Sequence, residues 1–499
     1  MLKKSFFIVL FLGLGSLLQA QEKVYDFNHN CKKAYAYTIN LQLDSALIFI
    51  EKEKVANVNN LLPVLLMNYQ DFLKVVLLED EKQFELYKER KKHRLVAWKT
   101  GPKNSPWFLA GEAQIKLQWA FARVLFDEYF TAAGEINSAY HLLEDNRKLF
   151  PDFIHDNMGI GVLHAMIGVF PEQYQWALEL LGFYGTIEQG IQEIKDQLEQ
   201  KEDAYAAEAL FYYTFVRLNL QNDSARFSDI LSYYNKDPYN IMAQNSPLLH
   251  FSKSVVLLKI NTDTAIQYLK NAPQKPAAWP FYYSDFLLGQ ALLWKLDNQA
   301  PYYLKKYEQE YPGKNYKKTA LQRLAWWHFS QQDTLGYLNN MASILNIRAA
   351  ILDADKAAQK EAESVKEKGY LPNLHLLRSR LQSDGKYFEG ALSELEMIDV
   401  QGLNKEAELE YYYRKARIYH QTNQLSLAKK NYVITLEIGA QSERYFAAKA
   451  ALKLGEIYES AHHTTQAQYY FQACLDLDFT EYRKGIRSKA KAGLQRLEE

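Results

Sequence analysis

The chain contains 499 residues, and glycine and proline account for only 22 and 13 of them. A single compact core rarely holds so many residues, and so few turn-forming residues disfavour a β-rich fold. The 59 basic and 59 acidic side chains balance, which disfavours nucleic acid or an anionic membrane as the main partner, because both require a basic excess.

The first 20 residues carry a targeting signal. Lys3 and Lys4 precede an apolar segment over residues 5–18, and Ala20 places a small side chain before Gln21. This order is typical of a secretory signal peptide. We therefore expect cleavage after Ala20 and export of the mature chain to the periplasm or cell envelope. An uncleaved anchor helix is the alternative, although the segment is short for a membrane span.

No transmembrane span is expected after cleavage. The most apolar later stretch, residues 61–78, is interrupted by Asn68, Gln70, Asp71 and Lys74. A lipid anchor is not expected either, because the first cysteine, Cys31, comes well after the apolar segment. The second cysteine, Cys474, lies near the opposite end of the chain, so we expect two free thiols rather than a disulfide.

The first third of the chain predicts helical hairpins. Residues 27–57 and 61–98 each read as a pair of amphipathic helices. Glycine and two prolines mark a loop over residues 101–106. We expect a long helix over 107–133 after this loop, followed by Gly134 and a partner helix that ends at Pro151, because proline cannot continue a helix.

Residues 151–198 differ from the rest of the chain. Six glycines lie between Gly159 and Gly190, and Gly159, Gly161 and Gly168 fall in an apolar stretch that we predict to be helical. Glycine inside a helix costs about 1 kcal/mol relative to alanine. We expect close packing of helix backbones to offset that cost.

The second half of this block is an apolar segment that leads into a leucine-rich Gly-Phe-x-Gly turn and a predicted helix that contains glycine. This pattern is carried by Pro171, Trp176, Leu178, Leu180, Leu181, Gly182, Phe183, Gly185 and Gly190. It resembles the eukaryotic tetratricopeptide-repeat family of inclusion-body-clearance and lipid-droplet proteins. The resemblance implies a tetratricopeptide-like fold over most of the mature chain. The signal peptide distinguishes this chain from those intracellular proteins.

The strongest interruption in the middle of the chain is NAPQKPAAWP, residues 271–280, which contains three prolines. We therefore predict a signal peptide over 1–20, a first set of degenerate repeats over 21–271 and a second set over 272–499. The interruption either separates two superhelical halves or joins two helices.

The helical repeat is clearest from residue 374 onwards. Arg378, Ala416 and Gly455 occupy equivalent positions, and Ala428 and Ala467 mark the second helix of their hairpins. This spacing is typical of tetratricopeptide-like repeats. We predict an all-α fold, a right-handed superhelical solenoid of such hairpins that ends in a capping helix over 482–497.

The resemblance implies a partner-binding groove lined by the first helices of the hairpins. The side chains expected to face it are Tyr413, Arg417, His420, Glu456 and Glu459. The Lys and Asn pattern of chaperone-tail-binding repeats does not occur at these positions. The expected function is that of an exported, non-catalytic scaffold that binds a protein or peptide.

An alternative function is capture of a glycan or lipid on exposed aromatic side chains, for which Trp279, Tyr282, Trp326 and Trp327 are the candidates. We expect no enzyme and no cofactor, because the sequence contains no HExxH motif and no complete dinucleotide fingerprint. Adjacent histidines in a predicted turn, His462 and His463, point apart and make a poor metal site.

Overall fold

A computed structural model describes residues 22–170, 176, 178–200, 204–221, 223, 225–273, 279–347 and 352–498. The predicted signal peptide and Pro171 lie outside these residues. Within them, the structure is all-helical: it contains no β-strand, and one isolated bridge joins Val24 to Asn60. No helix in the described ranges is long and apolar enough to cross a membrane.

The helices are numbered in chain order. Those before residue 262 are α1 His29–Ile39, α2 Leu43–Ala56, α3 Leu62–Leu78, α4 Glu81–Trp98, α5 Pro106–Leu125, α6 Tyr129–Leu149, α7 Asn157–Ile167, α8 Ile187–Leu198, α9 Ala206–Leu220, α10 Arg226–Tyr234, α11 Tyr239–Asn245 and α12 Pro247–Ile260. The remaining helices are α13 Thr262–Lys270, α14 Tyr283–Trp294, α15 Ala300–Glu310, α16 Lys317–Ser330, α17 Thr334–Leu345, α18 Asp353–Lys368, α19 Leu374–Asp384, α20 Phe388–Glu396, α21 Lys405–Gln421, α22 Leu425–Ile438, α23 Phe446–Ser460, α24 Thr464–Asp476 and α25 Arg483–Glu498.

These helices form two compact units. The first unit contains the described residues up to Val256 together with Asn271–Phe281, and the second contains Leu257–Lys270 and the described residues from Tyr282 onwards. Each unit has its own apolar core, with Trp98 and Trp119 fully buried in the first. The predicted division at residues 271 and 272 stays a prediction.

In the described part of the chain, the same backbone turn closes seven helix pairs. The turn residue has a left-handed backbone conformation in each of them, at Leu41, Asp127, Leu296, Gln332, Lys386, Asn423 and His462. The next residue donates its N–H to a carbonyl five residues earlier, as from Asp333 to His328 at 2.9 Å and from Gln424 to Tyr419 at 2.8 Å. This is the Schellman arrangement, which satisfies carbonyl groups left free at a helix end.

One of these turns corrects the prediction for the first third of the chain. The expected helix over 107–133 ends at Leu125, and a second helix begins at Tyr129. The left-handed Asp127 and the bond from the Glu128 N–H to the Arg123 carbonyl, 3.0 Å long, close the turn between them. Aspartate tolerates this conformation better than most residues, so the helix ends although no glycine or proline marks the point.

The glycine-rich block is held by direct contact between helix backbones, as predicted. A Cβ atom added to Gly190 in α8 would lie 2.2 Å from the carbonyl oxygen of Gly161 in α7, and one added to Gly161 would lie 2.7 Å from that of Gly190. Gly168 follows α7 instead of lying inside it, and its added Cβ would lie 2.4 Å from the Ile187 nitrogen. Only glycine allows these approaches.

The C-terminal hairpins have the predicted small residues where their helices touch. Ala416, Ala428 and Ala467 are fully buried, and a Cβ atom on Gly455 would lie 2.5 Å from the Phe471 ring. The last helix, α25, packs against the preceding hairpin through its buried residues, Ile486 and Ala490.

Both cysteines are free and buried, as expected. Burial raises the pKa of Cys31 to about 12 and that of Cys474 to about 11. Both side chains are therefore uncharged core residues at neutral pH.

The helix contact at Gly190 gives a first prediction. We expect Gly190→Ala to lower the free energy of unfolding by about 1–3 kcal/mol, because the added methyl group must displace backbone atoms. Gly134→Ala is the matched control: this helical glycine has open space around its Cβ position, so alanine should raise stability by about 0.5–1 kcal/mol. Urea unfolding of both variants measures the difference, and equal effects of the two substitutions would contradict the packing role.

The left-handed turns give a second prediction. Gln332 is exposed and has a φ of 63°, so Gln332→Gly should raise the free energy of unfolding by about 0.5–1 kcal/mol through relief of backbone strain. The same change at the exposed Asn339, inside α17, should lower it by a similar amount. Urea midpoints that fall for both variants would show that the turn is not strained.

Candidate partner-binding surface

The five residues predicted to face the groove have different environments. Tyr413 is a core residue: only 6% of its surface is exposed, and its ring packs against Tyr432, Tyr445 and Phe446. Burial raises its pKa. Tyr413 therefore supports the seam between α21 and its neighbours and offers little surface to a partner.

The other two predicted residues of α21 are partly exposed. Arg417 donates to the carboxylate of Asp384, at the end of α19, at 2.8 Å. His420 Nδ1 lies 3.4 Å from the Tyr432 hydroxyl. Burial lowers the pKa of His420, and nearby Lys453 adds to the effect.

The two predicted glutamates of α23 are already paired. Glu456 binds Lys453 of the same helix at 2.5 Å, and Glu459 binds Arg496 of the capping helix through two bonds of 2.7 and 2.8 Å. The Glu456 charge acts on His420, which places these two residues near each other. Glu459 belongs to the contact with the capping helix.

Arg417 belongs to a larger surface. The sequence prediction included Arg417 but none of the other members of this surface. The surface is formed by residues of α16, α19 and α21 and by the segments that precede α19, α23 and α25. Its members are Arg323, Arg380, Arg414, Arg417, Arg444, Tyr370, Tyr445 and Tyr482. We call it the arginine surface. The signal in the sequence was the recurrence of arginine in successive first helices.

Three arginines of this surface have acidic partners. Arg414 pairs with Glu410 one helical turn away, Arg417 pairs with Asp384, and Arg444 lies 3.3 Å from Glu481. Burial alone would raise the pKa of Glu410, but the charge and hydrogen bond of Arg414 together with the charges of Arg380 and Arg444 hold that pKa below its usual value. These ion pairs fix the side chains that border the surface.

The remaining two arginines lie against one tryptophan. The guanidinium carbons of Arg323 and Arg380 are 4.1 and 4.3 Å from the centre of the Trp326 ring. Within the described part of the chain, neither has a carboxylate within ion-pair distance, and Arg323 Nε is buried without an acceptor. Burial and then the positive charge of Arg380 lower the pKa of Arg323 to about 10.

A second open groove runs along the second helices of the same hairpins. It lies between α22 and α24, has a volume of about 970 Å³, and is lined by Val433, Leu436 and the exposed Tyr469. Glu437 and Asp476 give it two acidic side chains and it has no basic ones. This groove is the alternative partner-binding surface of the second unit.

The aromatic side chains of the ligand-capture alternative are mostly covered. Trp326 is 3% exposed, and Trp279, Tyr282 and Trp327 are half-buried. Lys74 lies over the Trp279 ring at 5.2 Å. They therefore do not form an exposed aromatic platform.

The first unit contains a small interior cavity next to a buried acid. The cavity measures about 20 Å³, which is room for one water molecule. Asp156 and His155 line it, together with Trp107, Tyr69 and Gln114. Among the described residues, no three His, Cys, Asp or Glu side chains are grouped to hold a metal ion, here or elsewhere.

Asp156 is arranged as a neutral acid. Its Oδ2 accepts a hydrogen bond from Asn146 Nδ2 at 2.7 Å, while its Oδ1 and the Asn146 Oδ1 are both buried without a donor. A proton on Asp156 Oδ1 can donate to the Asn146 oxygen, because a carboxylic acid and an amide form a paired set of hydrogen bonds. Burial accordingly raises the pKa of Asp156 to about 7.

No protein-family model matches the chain. No curated protein matches it either.

Asp156 gives a third prediction. The unfolded chain releases this proton near pH 3.8 and the folded chain near pH 7, so wild-type stability should fall as the pH rises between these values. Asp156→Asn removes this dependence and keeps an acceptor for Asn146. The difference between the free energies of unfolding of the variant and of the wild type should therefore increase in favour of the variant by about 2–3 kcal/mol from pH 5 to pH 8.

Urea unfolding of both proteins across this pH range measures the gain. Burial lowers the pKa of His155 to about 4, and its opposite pH dependence cancels because both proteins contain it. A stability difference that stays constant with pH would contradict a buried neutral Asp156.

Proposed function

We propose that this protein is an exported, non-catalytic scaffold of tetratricopeptide-like hairpins, stacked as a right-handed solenoid, that binds a protein or peptide partner. The order of the sequence supports this: a signal-like segment of 20 residues precedes a chain of helical hairpins. The resemblance to the tetratricopeptide family supports the repeat type. Repeats of this kind build extended binding surfaces.

The arginine surface is the observation that carries the proposal. Arginine and tyrosine are the residue types enriched where proteins bind each other. Here they recur on neighbouring first helices, and ion pairs hold several of them in place. The half-buried state of the candidate aromatic side chains gives the alternative, glycan or lipid capture, less support.

Site-specific photocrosslinking tests the binding surface and gives a fourth prediction. Two tyrosines are matched in exposure: Tyr482, which is 63% exposed on the arginine surface, and Tyr469, which is 65% exposed on the second-helix groove. With a photoreactive phenylalanine analogue at each position in the native envelope, we expect a protein adduct at position 482 and none at position 469.

Each outcome of this experiment has a defined meaning. An adduct only at position 469 would move the site to the second-helix groove. Adducts at neither position, with the protein folded and exported, would contradict the scaffold. Sequencing of the mature N-terminus from the envelope fraction tests the export step, which predicts Gln21 as the first residue.

A further inference from the structure

The two arginines beside Trp326 differ from the other cations of the arginine surface. Both guanidinium groups lie within 4.3 Å of the centre of one indole ring. Cation–π contact stabilises each of them, but it leaves the N–H donors at their edges available.

The carboxylates that act electrostatically on this pair are bound to other side chains. Glu410 acts on Arg380 and is paired with Arg414. Glu361 and Asp384 both act on Arg323 electrostatically. Glu361, however, accepts hydrogen bonds from Trp326 Nε1 at 2.9 Å, from Tyr337 at 3.1 Å and from Gln322 at 2.6 Å. Asp384 is bound by Arg417. Neither carboxylate is within ion-pair distance of Arg323 or Arg380.

The donors of Arg323 are correspondingly under-used. Its Nη1 atom donates to the Gln322 side chain at 2.9 Å, and its Nε atom is buried with no acceptor among the described residues. A buried cation without a partner costs several kcal/mol, so proteins rarely retain one without a use for it. Three arginines of the same surface each have a carboxylate partner, so the absence of one among the described residues is specific to Arg323 and Arg380.

We propose that Arg323 and Arg380, both held against the Trp326 ring, bind side-chain carboxylates of an acidic segment of the partner protein. This inference rests on the proposed scaffold function and names the chemistry of its partner. Arginine suits the task because its planar group forms two parallel hydrogen bonds with a carboxylate. Tyr370 and Tyr482, which lie beside the pair, supply hydroxyl groups for the peptide backbone.

The surrounding charges favour such a peptide over a polyanion. Glu361, Asp384, Glu410 and Glu481 alternate with the arginines of the surface. A nucleic acid or a polyphosphate would bring continuous negative charge against these carboxylates, and like charges at close range repel. A peptide with a few carboxylates spaced by neutral residues avoids this repulsion.

Binding of a defined acidic peptide tests the proposal. The probe is a fluorescein-labelled 12-residue peptide of alternating Glu and Gly, measured by anisotropy with the full mature chain at low salt. We expect Arg380→Gln and Arg323→Gln each to weaken binding at least tenfold. Arg483→Gln is the control, because Arg483 pairs with Asp478 on the exposed start of the capping helix, and it should leave the affinity unchanged.

Thermal melting separates binding from structural support. Removal of an unpaired, repelled cation should leave the melting temperature of Arg323→Gln unchanged or raise it, whereas loss of a structural residue would lower it. Equal affinity of wild type and Arg380→Gln for the peptide would overturn the proposal. No peptide binding by the wild type would overturn it as well, as would preference for a 12-residue polyphosphate or a single-stranded oligonucleotide over the peptide.

Failure of this inference and failure of the scaffold function give different results. A protein adduct at position 482 without peptide binding would keep the scaffold and reject an acidic partner. If Arg380→Gln loses that adduct and the control Arg483→Gln retains it, the partner captured at position 482 is the one that the arginine pair binds, and both proposals are supported together.

Discussion

The fold depends on the backbone turn that closes its hairpins. In seven helix pairs a left-handed residue lets the chain reverse, while a hydrogen bond across the turn satisfies a carbonyl group at the end of the first helix. The turn fixes the angle and spacing at which the second helix returns, so the small residues of the two helices meet at defined points. Ala416 and Ala428 are buried in one core cluster, and Gly455 lies against Phe471.

The second unit combines this apolar packing with an unusual arrangement of charge. Tyr413 fills the seam between helices, and Arg414 and Arg417 of the same helix lie near it. Arg414 pairs with a carboxylate of its own helix, whereas the pair between Arg417 and Asp384 joins α21 to α19. Trp326 holds the two arginines that have no carboxylate partner among the described residues. Because these two cations are unpaired, the surface is a candidate for binding a partner protein.

The sequence predicted the helical class, the C-terminal hairpins and the backbone contact in the glycine-rich block, because each depends on local periodicity or on side-chain size. It did not predict the turn at Asp127, since aspartate there is one of several residues that tolerate a left-handed conformation. It placed Tyr413 on a groove, although a tyrosine on the first helix can face either the seam or the solvent. The difference depends on how Tyr445 and Phe446 pack against it.

By itself, the sequence determined that helices form, where the C-terminal hairpins repeat and which small residues must lie between them. Only the tertiary structure decided which polar groups are matched. Asp156 meets Asn146 across a turn, and Arg323 and Arg380, which are more than fifty positions apart in the sequence, share one indole ring. Periodicity reports the face of a helix, whereas the pairing of charges depends on distances between atoms of different helices, which no local pattern contains.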